Sequence, residues 1–169
     1  MTLVIPTPQK PRRVELATFV EREEAKAYDA NIYPGMLIEL TSLGLFRRHS
    51  TEGGFAVKRF ALEEALVSRN DPAQAGGVAN IDTAYASGAL VGARCFVTGD
   101  RVNALLKAGA NYPIGSQLIS DGAGRLILAS AAASTGQVKQ IIAEVDEIGG
   151  AVDLSGTGAV DTHHSVRVF

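Results

Sequence analysis

From Asn31 to Gly124 the chain meets a turn-forming residue or cluster about every ten positions. In order these are Asn31 with Pro34-Gly35, Gly44, Gly53-Gly54, Asn70-Asp71-Pro72, Gly76-Gly77, Gly88, Gly99-Asp100, Gly109, Gly115, Asp121-Gly122 and Gly124. Punctuation at this spacing marks an antiparallel sandwich or barrel of short strands. The 18 glycines, the absence of Trp and the 6% aromatic content fit tight turns around a core of Ala, Val, Ile and Leu. At 169 residues and 17.7 kDa the chain is long enough to bury such a core.

The strands fall between the turns. Residues 36–40 are a short apolar run of strand length, and 93–97, 102–106, 117–120 and 125–128 read as the clearest strands. Ser120-Asp121-Gly122-Ala123-Gly124 tolerates positive φ and predicts a hairpin between the last two of these. Residues 60–67 have helical propensity but strand length and sit among β elements, so a strand is expected there. Residues 14–28 open on β-compatible Val14, Leu16 and Phe19, and Glu21-Arg22-Glu23-Glu24-Ala25-Lys26-Ala27 then predicts a solvated turn or short helix. Residues 129–136 are small and read as a turn or crossing, and residues 138–145 as a strand or short helix. Gly156-Thr157-Gly158 reads as flexible. A final alternating strand puts His164, Val166 and Val168 on one face and His163, Ser165 and Arg167 on the other.

Pro6, Pro8 and Pro11 prevent a helix in residues 1–13, which end in Lys10, Arg12 and Arg13 and read as an extended N-terminal arm. The remainder, 14–169, is expected to be one β-rich domain, with 129–169 either part of it or a small separate subdomain or tail.

The net charge of -2 gives no reason to expect a nucleic acid or an anionic membrane as partner. No apolar run approaches the roughly 18 residues of a membrane span, so a soluble protein made in a cytoplasm is expected. Cys95 has no second cysteine with which to form a disulfide or a zinc site, and its alternating surroundings predict a small buried thiol. The three histidines fit no catalytic signature: His49 sits in a polar stretch that predicts an exposed loop tip, and adjacent His163 and His164 face opposite ways, which is wrong for jointly holding a metal. Glu63-Glu64 and Asp146-Glu147 are neighbours without a catalytic pattern. Gly122-Ala123-Gly124 and Gly156-Thr157-Gly158 lie in no βαβ unit and are turns. No enzyme, cofactor or metal is expected.

One ordered set of motifs remains. Ile81-Asp82-Thr83-Ala84-Tyr85-Ala86-Ser87-Gly88 leads through residues 91–97 to Thr98-Gly99-Asp100, and then to Ile114-Gly115-Ser116-Gln117-Leu118-Ile119-Ser120-Asp121-Gly122-Ala123-Gly124-Arg125-Leu126. This order resembles the capsid decoration, or cement, proteins of tailed bacteriophages. Pro34-Gly35 and Phe60-Ala61-Leu62-Glu63 extend the likeness, which covers roughly residues 30–130 with its detail in 81–128. Ala89 departs from it, standing where such proteins often carry an acidic residue.

The resemblance implies a mainly β fold, a β-tulip-like or small β-barrel or sandwich lobe with the extended arm. It also implies a structural protein of the virion, on the outer capsid surface at local three-fold positions, with the major capsid protein and itself, as a homotrimer, for partners. Leu3, Val4 and Ile5 would then add a strand to an exposed edge, while Lys10, Arg12 and Arg13 meet an acidic capsid surface. The competing expectation is a small β-barrel or β-clip binding module or enzyme acting on a sugar or nucleotide through the loop 47–54 and the Gly-rich turns.

Overall fold

A computed structural model describes residues 22–63, 80–131, 139–147 and 150–169. Among these the chain is mainly β, with one 3-10 turn at Asn80–Asp82. The strands are β1 (Arg22–Lys26), β2 (Ile38–Leu40), β3 (Phe46–Arg48), β4 (Arg59–Ala61), β5 (Leu90–Cys95), β6 (Arg101–Leu106), β7 (Asn111–Tyr112), β8 (Gln117–Ser120), β9 (Leu126–Leu128), β10 (Ala143–Val145), β11 (Val152–Asp153) and β12 (Thr162–Val168).

Five of them close a barrel in the order β10-β12-β6-β9-β8, with β8 returning to β10. All of its ladders are antiparallel except the short β6–β9 contact at Leu106 and Leu126. The hairpin predicted over 120–124 joins β8 to β9. Gly122 and Gly124 take φ of 76° and 83°, and the Asp121 carboxylate accepts the Ala123 N–H at 2.7 Å and the Arg125 N–H at 3.0 Å. Strands β10 and β12, both within 129–169, are staves of this barrel.

A three-stranded sheet, β1-β5-β4, packs beside the barrel. Strand β6 belongs to the barrel but feeds both hydrophobic cores, because successive residues of a strand point to opposite faces. Leu106 enters the barrel core with Leu118, Leu126, Ile142, Val166 and Val168, whereas Leu105 packs outward with Ile32, Ile38, Phe46, Val91 and Ala93. The turn 33–36 wedges between them: Gly35, at φ 76°, donates its N–H to the Ala61 carbonyl, and its carbonyl accepts the Leu105 N–H. A Cβ on Gly35 would stand 2.6 Å from the Asn103 carbonyl oxygen and 2.8 Å from the His163 ring.

Three sequence expectations shift. The helix-favouring run at Glu21 to Ala27 is not a turn or helix where it is described: Arg22–Lys26 is a strand, because each residue finds a partner on β5 while Arg22, Glu24 and Lys26 stay in solvent. The strand of 93–97 lies upstream at Leu90–Cys95, since Asp100 accepts the Val97 N–H and closes a turn there. The strand of 60–67 is Arg59–Ala61, and residues 64–67 lie outside the described residues.

Candidate functional site

The loop after β3 is fastened to the barrel by side chains and by a few backbone bonds around an isolated bridge between Glu52 and Asp121. His49, expected at an exposed loop tip, is 1% exposed. Its Nε2 lies 3.3 Å from the Phe55 carbonyl, which can only accept, so that nitrogen carries the proton. Its Nδ1 therefore accepts from the Ser120 hydroxyl at 2.7 Å, and the Ser120 Oγ in turn accepts the Gly122 N–H at 3.1 Å. A serine donating to a histidine with Glu39 Oε2 at 3.9 Å has the composition of a nucleophilic triad. Full burial of Ser120 denies it a substrate, and the arrangement is a structural clamp.

The same loop is held from the other side. Gly53 donates to the Ser120 carbonyl at 2.9 Å and accepts from the Gln140 N–H at 3.0 Å, and the Gln140 carboxamide oxygen receives the Ala56 N–H at 2.6 Å. Phe55 stands between these fastenings with its ring out in water, 87% exposed.

Other apolar side chains gather nearby. Val57 and Val97, both exposed, flank the pair in which Lys58 accepts the Phe96 N–H. Phe169, partly exposed, bonds to Ile142 two residues from Gln140, and Gly99 bonds to Val168. Phe55 and Val57 on one loop, with Val97 and Phe169, thus come from three segments tied together around one end of the barrel. Exposed aromatic and aliphatic groups on a fixed backbone are what a protein interface uses as anchors.

A second feature is a cleft of about 310 Å³ lined by Tyr33, Met36, Asp82, Leu105, Val160, Asp161 and His163. His163 is fixed at its edge by a 2.7 Å bond to the Pro34 carbonyl, while His164 turns the other way, to Thr162 at 3.0 Å and Glu147 at 3.4 Å. The two histidines thus have separate partners, and among the described residues no group of three or more His, Cys, Asp or Glu could hold a metal.

Beside the cleft lies a network that the sequence reading did not single out. Arg125 donates to Asp121 at 2.7 Å and to Asp161 at 2.8 Å, and Asp161 also accepts the Ala108 N–H at 2.8 Å. Burial alone would raise the Asp161 carboxyl, but Ala108, Arg125 and Lys107 outweigh it and hold the group below the usual aspartate range. Buried Tyr112, which donates to the Lys107 carbonyl, is pushed up to about 12 by burial and by the charges of Asp161 and Asp121. The one visible signal was the Asp121 to Arg125 spacing across a turn; Asp161 and Tyr112 join only through the fold.

Cys95 is half-buried rather than enclosed, and its thiol donates to Glu23 at 3.2 Å. Burial, then the bond to Glu23, raises its pKa and keeps it protonated. Asp146 takes Arg101 and Arg167, and Glu147 accepts the Ser165 N–H, so this acidic pair fastens β12. Leu3, Val4, Ile5, Lys10, Arg12 and Arg13 lie outside the described residues. No protein-family model matches the chain, and no curated protein matches it.

Proposed function

We propose that this chain is a structural decoration protein of a tailed-phage head, bound to the outer surface of the shell at local three-fold positions and stabilising it by attachment alone. The observation that carries this reading is the exposed Phe55 on a loop bonded to a closed barrel, with exposed Val57, Val97 and Phe169 on segments at the same end of that barrel. A bulky apolar ring ordered before binding loses little freedom on docking, so most of its burial energy goes to affinity. Many copies bound to folded subunits then stabilise the shell by mass action. The order of motifs along 81–128 supports the same reading.

The test is co-sedimentation of the purified chain with heads assembled from the major capsid protein of the same phage, with light scattering for its own oligomeric state. Saturable binding at a fixed ratio to the capsid subunit is expected, and Phe55→Ser should weaken it about tenfold or more. No binding of the unaltered chain overturns the reading, whereas unchanged binding of the variant removes the Phe55 patch from it.

A second reading, a binding module for a sugar or nucleotide, is favoured by the cleft at Tyr33 and His163 rather than by the loop 47–54, whose His49 is enclosed. Saturable calorimetric titration with a panel of those ligands, lost in Leu105→Trp, would favour it over docking.

A further inference from the structure

The cleft of about 310 Å³ lies where the turn 33–36 meets the start of β12, with Leu105 of β6 and Asp82 of the 3-10 turn completing its lining. Its walls are held before any ligand arrives. Gly35 bonds to Ala61 and to Leu105, the Tyr33 N–H meets the Met36 sulfur at 3.4 Å, and the His163 ring is tied to the Pro34 carbonyl. A cleft with fixed walls loses little freedom when it is filled.

The apolar part of the lining asks for a hydrocarbon body. Met36 and Leu105 are buried, whereas Val160 stands exposed with water against it. A ligand that covers Val160 gains about 25 cal/mol for each Å² of apolar surface removed from water. The volume is at the small end of ligand pockets, so the body is one ring or a short chain.

The polar groups select the head. The described lining carries two carboxylates, Asp82 and Asp161, and no lysine or arginine. Behind the cleft Arg125 is shared between Asp161 and Asp121, so one guanidinium serves two carboxylates. Asp82 is exposed and has no ion-pair partner among the described residues. The Pro34 carbonyl can only accept, so the His163 Nε2 carries a proton that is already spent. With that imidazole neutral, Tyr33 is the one lining side chain with a hydrogen left to donate. A nucleotide would set its phosphates against the two carboxylates, and a sugar would find acceptors in excess of donors. A protonated amine or guanidinium meets the carboxylates with complementary charge, and an aromatic ring such as that of Tyr33 also attracts a cation.

We propose that this cleft is a binding site for a small organic cation, an amine or guanidinium head on a short apolar body, with Asp82 and Asp161 at the head and Met36, Leu105 and Val160 against the body. The site stands apart from capsid attachment, and its ligand is other than the sugar or nucleotide of the second reading.

The test is an NMR chemical-shift titration of the isotope-labelled full chain with three probes that share one body: phenethylamine, phenethyl alcohol and hydrocinnamate. Phenethylamine should bind saturably and about fivefold or more tighter than the neutral alcohol, with the anion weakest. Asp82→Asn should weaken the amine about threefold or more and leave the alcohol unchanged. Val160→Lys sets a competing ammonium at the cleft and should abolish the advantage of the amine. Both substitutions fall on exposed side chains, and the thermal transition of each variant is checked alongside. No saturable binding of the amine, an alcohol or anion that binds as tightly, or a folded variant that keeps the full preference would overturn the proposal. The comparison of three probes on the unaltered chain needs no variant to fold.

Discussion

Ser120 is fully buried, and its hydroxyl is committed on both sides, donating to His49 and accepting from Gly122. Removing it leaves a buried imidazole nitrogen without a donor, and an unpaired buried polar group costs its full desolvation. Ser120→Ala should therefore lower stability by about 1–3 kcal/mol in urea unfolding. A midpoint unchanged from the parent chain would mean that the clamp is not load-carrying. Asp161 gives a pH signature at the same scale. Its folded carboxyl sits below the ordinary value of 3.8, so the unfolded chain takes up its proton first. The contribution is complete above that value and disappears as the pH falls through the lower folded pKa. Urea midpoints followed from neutral pH downward should fall less steeply in Asp161→Asn than in the parent, and parallel acid limbs would remove Asp161 from the acid transition.

At the level of elements, turns decide where strands begin and end, and two glycines with the same backbone need separate them. Gly35 and Gly88 both hold positive φ, 76° and 80°, but a Cβ on Gly35 meets the Asn103 carbonyl and the His163 ring, while nothing lies within 4 Å of one on Gly88. Gly88→Ala should cost about 1 kcal/mol and Gly35→Ala at least about 2 kcal/mol, the excess coming from a wedge that cannot yield between the two cores. Equal losses in thermal unfolding would contradict that placement. The hairpin at 120–124 was legible because Asp121, Gly122 and Gly124 carry their own turn chemistry. Strand β1 was not: Glu23, Glu24, Ala25 and Lys26 favour a helix in isolation, and only the ladder to β5 overrides them. His49 was misread for a related reason, since polar neighbours in sequence say nothing of Ser120, 71 residues away. Phe55 drew no reading from the sequence, since the bonds that hold its loop, from His49 to the Phe55 carbonyl and from the Ala56 N–H to Gln140, are contained in no local pattern.

At the scale of the molecule, the lobe depends on its last strand. Strand β12 is bonded along β6 on one side and β10 on the other, and Val166 and Val168 fill the barrel core between them. Without it, β6 and β10 face each other across an open seam, and Leu106, Leu118 and Ile142 lose part of the wall that keeps water out. The ion pairs of Asp146 with Arg101 and Arg167 show the same dependence, because one carboxylate joins β6 to β12 across the seam. A chain ending at Asp161 should consequently lose its single cooperative thermal transition and bind a hydrophobic dye at temperatures where the full chain does not. A truncated chain that melts in one sharp step without dye binding would mean that the β1-β5-β4 sheet and the remaining four staves form a core sufficient by themselves. The barrel's closure would then serve presentation of the Phe55 loop rather than stability.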